Sequence, residues 1–359
     1  MVKLRFYVFF YCIFGNFSTL AHRLLLTLKR KGWMRLKRLL ALLLALLIPC
    51  AASAEALVVA EPVHLIGYLP LYLAIREGYF ADEGLEVSVV QATGGAHVTA
   101  VVSGDAFAVI GGADSISLAN RGNADPLVSI VNCVDRANVY LFAATGLVPA
   151  SDSDEDMAAF LRGKRIVAGR FGGSPNLLTR YLLKQVGLDP DKDVQLIENA
   201  DASTVTAMIQ HGQGDIGNGG EPQISEGITA GVWEEPFVSF PDLGPYAYSI
   251  LSVRRSTIEN QPDICRGFVR AMLRALHAVQ DDHELAARVL AEEFPTLTEE
   301  GRAAALERAW NDNLWSTDGY VSEEAVAMTM TVLTSSGLYE DDWDYDQLVD
   351  MRFVEELTQ

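Results

Sequence analysis

The chain has 359 residues, with 28 lysines and arginines against 47 aspartates and glutamates and a formal charge of −19 with histidine neutral. Nine of the cations (Lys3, Arg5, Arg23, Lys29, Arg30, Lys31, Arg35, Lys37 and Arg38) precede residue 55 in a stretch without a single acid, which leaves 19 against 47, or −28, for the remainder. That balance excludes nucleic acid and anionic lipid as partners, because both require a basic footprint.

Residues 1–33 read as an upstream extension whose apolar stretches are short and broken, with Met34 rather than Met1 the expected start. Residues 34–54 follow the order of a secretory signal. Basic residues at Arg35 to Arg38 precede an apolar run from Leu39 to Ile48, and Ala52-Ser53-Ala54 supplies a small-x-small cleavage site before Glu55. A membrane anchor needs roughly 20 continuous apolar residues, and Leu39 to Ala54 falls short. Lipidation at Cys50 is the weaker alternative because Pro49 directly precedes it. Cys133 and Cys265 remain beyond the leader, and the sequence leaves open whether they pair or are two buried thiols.

From Leu57 on, strands and helices alternate, which places the chain in the α/β class with length enough for two lobes. Leu57 to Ala60 is a strand, Leu71 to Arg76 a helix ending at Gly78, and Leu85 to Val90 a strand. A helix over Ala96 to Val102 stops at Gly104. A helix at Ser115 to Asn120 and a strand at Leu127 to Cys133 follow, and Val139 to Ala144 is a strand leaving the first lobe. The second lobe begins with a helical turn at Met157 to Leu161 and a strand at Arg165 to Ala168. Its best-marked helix is Ser174 to Val186, with Ser174 at the cap, Pro175 at the first position and Gly187 beyond the end. Val194 to Ile197 (strand), Thr204 to His211 and Pro222 to Ala230 (helices) complete it. Tyr246 to Val253 returns as a strand, and its pairing with Val139 to Ala144 would make a two-strand hinge. Apolar residues at helical spacing mark Ala271 to Val279, Glu284 to Glu293, Arg302 to Trp310 and Glu323 to Thr334.

Two stretches repeat one layout. Gly104-Asp105 leads into Ala106 to Ile110 and the loop Gly111-Gly112-Ala113-Asp114; Gly214-Asp215 leads into Ile216 to Asn218, two residues shorter, and the loop Gly219-Gly220-Glu221. Loops at the carboxyl ends of strands line the ligand crevice of an open α/β sheet, and glycine admits a close approach to the backbone. The repeat therefore points to two lobes facing one cleft.

Further residues carry a resemblance. Tyr68-Leu69-Pro70-Leu71-Tyr72-Leu73-Ala74, Glu77-Gly78-Tyr79-Phe80 and Glu83-Gly84-Leu85-Glu86-Val87 resemble the opening of the sulfonate, nitrate and thiamine-precursor branch of periplasmic substrate-binding proteins. Ser103-Gly104-Asp105, Leu161 to Ile166, Val186 to Asp189, Gly214-Asp215, Asp318 to Ser322 and Gly337-Leu338-Tyr339 continue it. The resemblance implies a type 2 periplasmic-binding-protein-like fold, two-lobed, with mixed sheets flanked by helices, a two-strand hinge and a helical C-terminal part. Lobe 1 would take residues 55–144, lobe 2 residues 145–245, and lobe 1 again residues 246–359. It further implies a monomer in the periplasm that captures a small organic or anionic solute without a cofactor and delivers it to the permease and ATPase of an ABC importer. The family layout places solute contacts at His64, Tyr68 and Pro70; at Gly112, Ala113, Asp114 and Ser115; at Phe171, Gly172, Gly173 and Ser174; and at Asn218, Gly220 and Glu221.

The turn Gly172-Gly173-Ser174 has a physical motive of its own, since free N–H groups at a helix start bind anions. Arg136 and Arg170 stand where they would neutralise an anion, and Trp233, Trp310 and Trp315 offer stacking faces or core packing. Related folds also include a pyrimidine-precursor synthase and chorismate-dehydratase-like enzymes. Against that alternative, no lysine stands near His64, no cysteine cluster exists, and neither a Gly-x-Ser-x-Gly elbow nor metal-ligand spacing occurs. The expectation is a binding protein, not an enzyme, with the identity of the solute open.

Overall fold

The computed structural model describes residues 54–199 and 201–359. The upstream extension, the signal segment up to Ser53, both candidate starts and Cys50 lie outside the described residues.

The first half lays down β1 (Glu55–Glu61), α1 (Leu69–Arg76), α2 (Tyr79–Asp82), β2 (Leu85–Gln91), α3 (Ala96–Ser103), β3 (Ala108–Gly111), α4 (Ala113–Asn120) and β4 (Leu127–Arg136). The second half continues with β5 (Tyr140–Ala143), α5 (Asp154–Leu161), β6 (Arg165–Val167), α6 (Ser174–Gln185), β7 (Gln195–Ile197), α7 (Val205–Gln210), β8 (Ile216–Gly219), α8 (Gln223–Thr229), β9 (Val238–Ser239) and β10 (Pro245–Arg254). These strands form two five-stranded sheets, ordered β2-β1-β3-β10-β4 and β7-β6-β8-β5-β9.

The two sheets share one design. In each, three parallel strands are followed by an antiparallel strand that arrives from the other half of the chain: β10 lies against β3, and β5 against β8. The repeated glycine-acid layout thus marks equivalent central strands, β3 and β8, both four residues long rather than unequal. Strands covered by helices on both faces must be apolar throughout, and all four residues of β3 are buried.

The hinge differs from the sequence expectation. Tyr140–Ala143 and Pro245–Arg254 do not pair; each completes the other lobe's sheet, because β8 and β3 would otherwise present unpaired edges. The chain instead crosses at residues 137–139 and 240–244, and Phe240 N–H donates to Val139 O at 3.0 Å between the two crossings. Residues 140–143, counted with the first lobe by the sequence reading, lie in the second sheet.

The remaining helices are α9 (Arg255–Asn260), α10 (Pro262–Asp281), α11 (His283–Glu293), α12 (Glu299–Asn311), α13 (Glu323–Ser335), α14 (Tyr345–Leu348) and α15 (Arg352–Thr358). On α10, Cys265, Phe268, Val269, Met272, Ala275, Leu276 and Val279 form one buried stripe at helical spacing. It packs on α1 behind the first sheet. Each large apolar side chain so buried stabilises the fold by about 1.5–3 kcal/mol. Helix α12 instead touches α8 of the second lobe, and α13 touches both β10 and α6, so the C-terminal helices reach both lobes. Cys133 and Cys265 are buried and unpaired. Among the described residues no helix is long and apolar enough to cross a membrane, and no group of three or more His, Cys, Asp or Glu is placed to hold a metal.

Candidate functional site: a cleft walled by glycine loops and helix starts

A cavity of about 130 Å³ lies where the carboxyl ends of the parallel strands face one another. After β1 come Pro62, Val63 and Leu65, with Tyr68 behind them; Gly94 and Gly95 precede α3; Gly111 and Gly112 end β3. Gly169 to Ser174 contribute Gly169, Arg170, Gly173 and Ser174, and β8 ends in Asn218, Gly219 and Gly220. Asn138 on a lobe crossing and Tyr248 and Ser249 on β10 close the base, and Gln223 and Asn199 the second-lobe side.

The wall is unlike the rest of the molecule. In a chain rich in acids, the wall contains, among the described residues, no aspartate, glutamate or lysine, one arginine (Arg170) and one histidine (His97). Three helices begin at it, α3, α4 and α6, each with a glycine at the cap (Gly95, Gly112, Gly173) and no side chain bonding the first turn from that position. A helix start carries roughly half a positive charge, although the first N–H groups of α3 are already bonded to Thr93 O and Ala92 O and Ser115 N–H of α4 to Asp114 Oδ1. These ends and Arg170 make a cavity that favours a negative or oxygen-rich group. Arg170 has no carboxylate partner among the described residues; its Nη1 donates to Phe171 O at 3.2 Å. His97 is buried, and desolvation first and the Arg170 charge second hold its pKa down at about 4, so the imidazole is neutral.

The glycines are there for close approach. A methyl group on Gly112 would stand 2.5 Å from Asp114 Oδ1 and 2.9 Å from Ser174 Oγ of the facing lobe, and one on Gly220 would stand 3.1 Å from both Asn138 O and Oδ1. The carboxylates of the two loops are buried behind the cavity wall, Asp114 against Ser174 of the facing lobe and Glu221 against Ser225 and Arg308. Asp114 is sealed beneath Gly112, where burial raises its pKa against the opposing pull of Ser174, Ser115 and Arg170. Glu221 accepts from Ser225 N and Oγ at 3.0 Å and from Arg308 Nε at 3.2 Å. Burial is the main influence on Glu221 and raises its pKa.

Of the residues singled out from the sequence, Tyr68, Gly112, Ser115, Arg170, Gly173, Ser174, Asn218 and Gly220 line the cavity. His64, Pro70, Ala113, Asp114, Arg136, Phe171, Gly172 and Glu221 do not. His64 sits 3.0 Å from Glu61 and 3.5 Å from Glu293, stacked on Phe294, and these carboxylates outweigh its desolvation and raise its pKa. Pro70 and Ala113 are buried in helix starts. Arg136 pairs with Asp135 at 2.8 Å, and Phe171 is 49% exposed with the Arg180 guanidinium over its ring. Gly172 lies against Leu338. Ser174 does not cap α6; Gly173 holds the cap position and Ser174 is the first helical residue, and its hydroxyl faces the buried Asp114 carboxylate of the other lobe. Asn218 spends its amide nitrogen on Ala168 O, Pro175 O and Thr179 Oγ1, which fixes β8 to the first turn of α6. Trp233 stacks on Phe142, Trp315 donates to Gly67 O, and Trp310 stacks on His283, all away from the cavity.

The sequence reading passed over Gly94, Gly95, His97, Asn138, Gln223, Tyr248 and Ser249. The Gly94-Gly95 pair before a helix was a usable signal of the kind exploited at Gly172-Gly173. Nothing local distinguishes Asn138 or Gln223.

The model of the family described as NMT1/THI5 like matches residues 66–286. The candidate binding protein YtlA of Bacillus subtilis is 27% identical over 307 residues, covering 84% of this chain and 89% of that protein. The riboflavin-binding protein RibY of Chloroflexus aurantiacus is 31% identical over 223 residues, 59% of this chain and 58% of that one. Among solved structures, the periplasmic nitrate-binding protein NrtA of Synechocystis superposes with a TM-score of 0.70 at 16% identity, over 85% of this chain and 88% of that one. That likeness establishes the fold.

Proposed function

The chain belongs to the NMT1/THI5-like family, and on that footing we propose that it is an extracytoplasmic solute-binding protein that captures a small anionic organic solute and hands it to an ABC importer. The observation that carries the anionic part is the cavity wall, which has one arginine, no carboxylate and three glycine-capped helix starts. The size of the cavity supports a small solute. A water needs about 10–15 Å³ measured in this way, so 130 Å³ holds on the order of ten water-sized groups. A sulfonate, a carboxylate or a pyrimidine-sized acid fits that space; a flavin requires the lobes to part.

Transport rather than turnover is favoured by the relatives named for binding and by the order of residues 35–54, which fits export. The solute binds between the lobes, which close on it about the crossings at residues 137–139 and 240–244. The permease and ATPase of the importer are the partners this reading requires. To test it, the exported protein is purified without dialysis and denatured, and the released small molecules are identified by mass spectrometry. One intact anion per chain is the expected result. A cation, or a pair of molecules related as substrate and product, overturns the reading.

A further inference from the structure

Between the cavity residues Val63 and Leu65 stands His64, whose ring lies not in the cavity lining but among charged side chains of β1, α1 and α11. Its Nδ1 is 3.0 Å from Glu61 Oε1, and its Nε2 is 3.5 Å from Glu293 Oε2. The ring stacks on Phe294 with centroids 4.7 Å apart and lies 4.5 Å from the ring of Tyr72. Each carboxylate has one further partner. Tyr72 donates its hydroxyl to Glu61 Oε2 at 2.5 Å, and Arg76 donates Nε–H to Glu293 Oε1 at 2.5 Å. Glu292, 3.7 Å from the Arg76 guanidinium, is the next charge outwards.

Both ring nitrogens face carboxylate oxygens, and only the imidazolium has a proton for each. A neutral ring protonated on Nδ1 turns a lone pair on Glu293. Protonated on Nε2, it turns one on Glu61, which is 3% exposed and cannot replace the lost partner with water. The arrangement is therefore that of the charged ring. Desolvation pulls its pKa down, but the hydrogen bond and charge of Glu61, with Glu293 behind them, more than reverse this and leave it above 6.5. The loop so anchored gives Pro62, Val63 and Leu65 to the cavity wall, and its next residue, Ile66, donates its N–H to Glu221 O of the facing lobe at 3.2 Å. We propose that His64 is a proton-operated clasp: charged, it ties this loop to α11 and favours the Ile66–Glu221 bond between the lobes, and on losing its proton it frees the loop and loosens the closed cleft. A falling pH then favours capture and a rising pH release. That last consequence rests on the reading of the cleft as the place where a solute is captured; the clasp itself belongs to the ligand-free protein.

The test uses the purified protein without solute, on both sides of pH 6.5. Long-range proton–nitrogen NMR follows the two ring nitrogens of His64, identified by their loss in His64→Gln, and hydrogen exchange corrected for the intrinsic rate follows the Ile66 N–H. Both nitrogens are expected to be protonated at pH 6.5, the ordinary histidine value, and to lose one proton only above it. Across that titration the protection of Ile66 should fall about two- to fivefold, the worth of a partly exposed ion pair, while the amides of β3 change less. In Glu293→Gln the titration and the fall in protection should both move to lower pH. Because the folded value stands above the unfolded 6.5, the clasp's share of stability is complete below pH 6.5 and is lost as the pH rises through the folded value. Wild type should therefore outmelt His64→Gln most clearly at the acid end. A His64 titration at or below pH 6.5, an unmoved titration in Glu293→Gln, level protection of Ile66 across the titration, or a loss shared equally by β3 overturns the clasp. If a variant fails to fold, the wild-type titration and exchange decide alone. Failure of the cleft to bind an anion would leave the clasp standing, so the two readings fail separately.

Discussion

Gly112→Ala is the sharpest probe of how the lobes meet. Gly112 has φ −75° and ψ 152°, a conformation open to any residue, so alanine introduces no backbone strain. The penalty is steric. The new methyl would lie 2.5 Å from Asp114 Oδ1 in its own lobe and 2.9 Å from Ser174 Oγ in the facing lobe, both below the separation that real Cβ atoms keep. Overpacking of this kind costs about 1–3 kcal/mol, and the stiffer unfolded chain returns about 0.4–1 kcal/mol. The Asp114 contact lies within one lobe and burdens every state alike, whereas the Ser174 contact is relieved by moving the facing lobe away, so that part of the penalty falls on the closed state alone. If a net cost of about 1.4 kcal/mol falls on the closed state, affinity drops about tenfold, and the Asp114 contact adds its own loss of stability in the ligand-free protein. The neighbouring Gly111→Ala serves as control, because its methyl would meet His97 Nε2 at an ordinary 3.6 Å. Titration calorimetry with the solute released from the native protein measures both. A Gly112→Ala affinity within twofold of wild type would show that the closed state does not depend on this approach.

Three further outcomes follow from the side chains. Ser174→Ala removes a hydroxyl that does not cap α6 but faces the buried Asp114 carboxylate, so thermal denaturation should register a loss of about 1–3 kcal/mol, while affinity should fall more than tenfold; unchanged affinity would move the anion contact to Arg170. Glu221→Ala breaks a buried pair with Arg308 and should cost about 3 kcal/mol of stability with affinity nearly unchanged, whereas a selective loss of binding would restore Glu221 to the cleft. For His97, burial lowers the pKa from 6.5 to about 4, so the unfolded chain takes up a proton first as the pH falls. That contribution to stability is present above pH 6.5 and is lost progressively down to about pH 4, amounting to about 3 kcal/mol. His97→Gln should flatten that part of the wild-type pH–stability curve, and identical curves would contradict the burial of a neutral imidazole.

The parts of the fold legible in the sequence are those with local causes. Pro175 and Gly187 bracket α6 whatever lies around it, and the Gly104-Asp105 and Gly214-Asp215 passages lead into the central strands of both sheets. What failed depended on partners far along the chain. Tyr140–Ala143 and Pro245–Arg254 read correctly as strands, but whether they pair with each other or complete opposite sheets is decided by edges more than 70 residues away in β8 and more than 130 away in β3. Two-residue β9 and the short helices α14 and α15 carry too little periodicity to be seen. At the cleft, glycine was legible because its reason is geometric, while carboxylates misled. Glu221 before a proline looks like a loop ligand until Arg308, 87 residues on, is found beside it. Asn138 and Gln223 gave no signal at all, because a place in the cavity wall is a property of the surrounding fold.

The central claim is that the cleft binds a small anion without changing it. A thermal-shift series over carboxylates and sulfonates of about ten non-hydrogen atoms, each matched with the amine of the same skeleton, tests it most directly. A solute at 100 times its dissociation constant stabilises the fold by about 2.7 kcal/mol. The account predicts that only anions do so, and that the stabilising compound is recovered unaltered after incubation. Stabilisation by the amines instead of the acids, or recovery of a converted product, would contradict it.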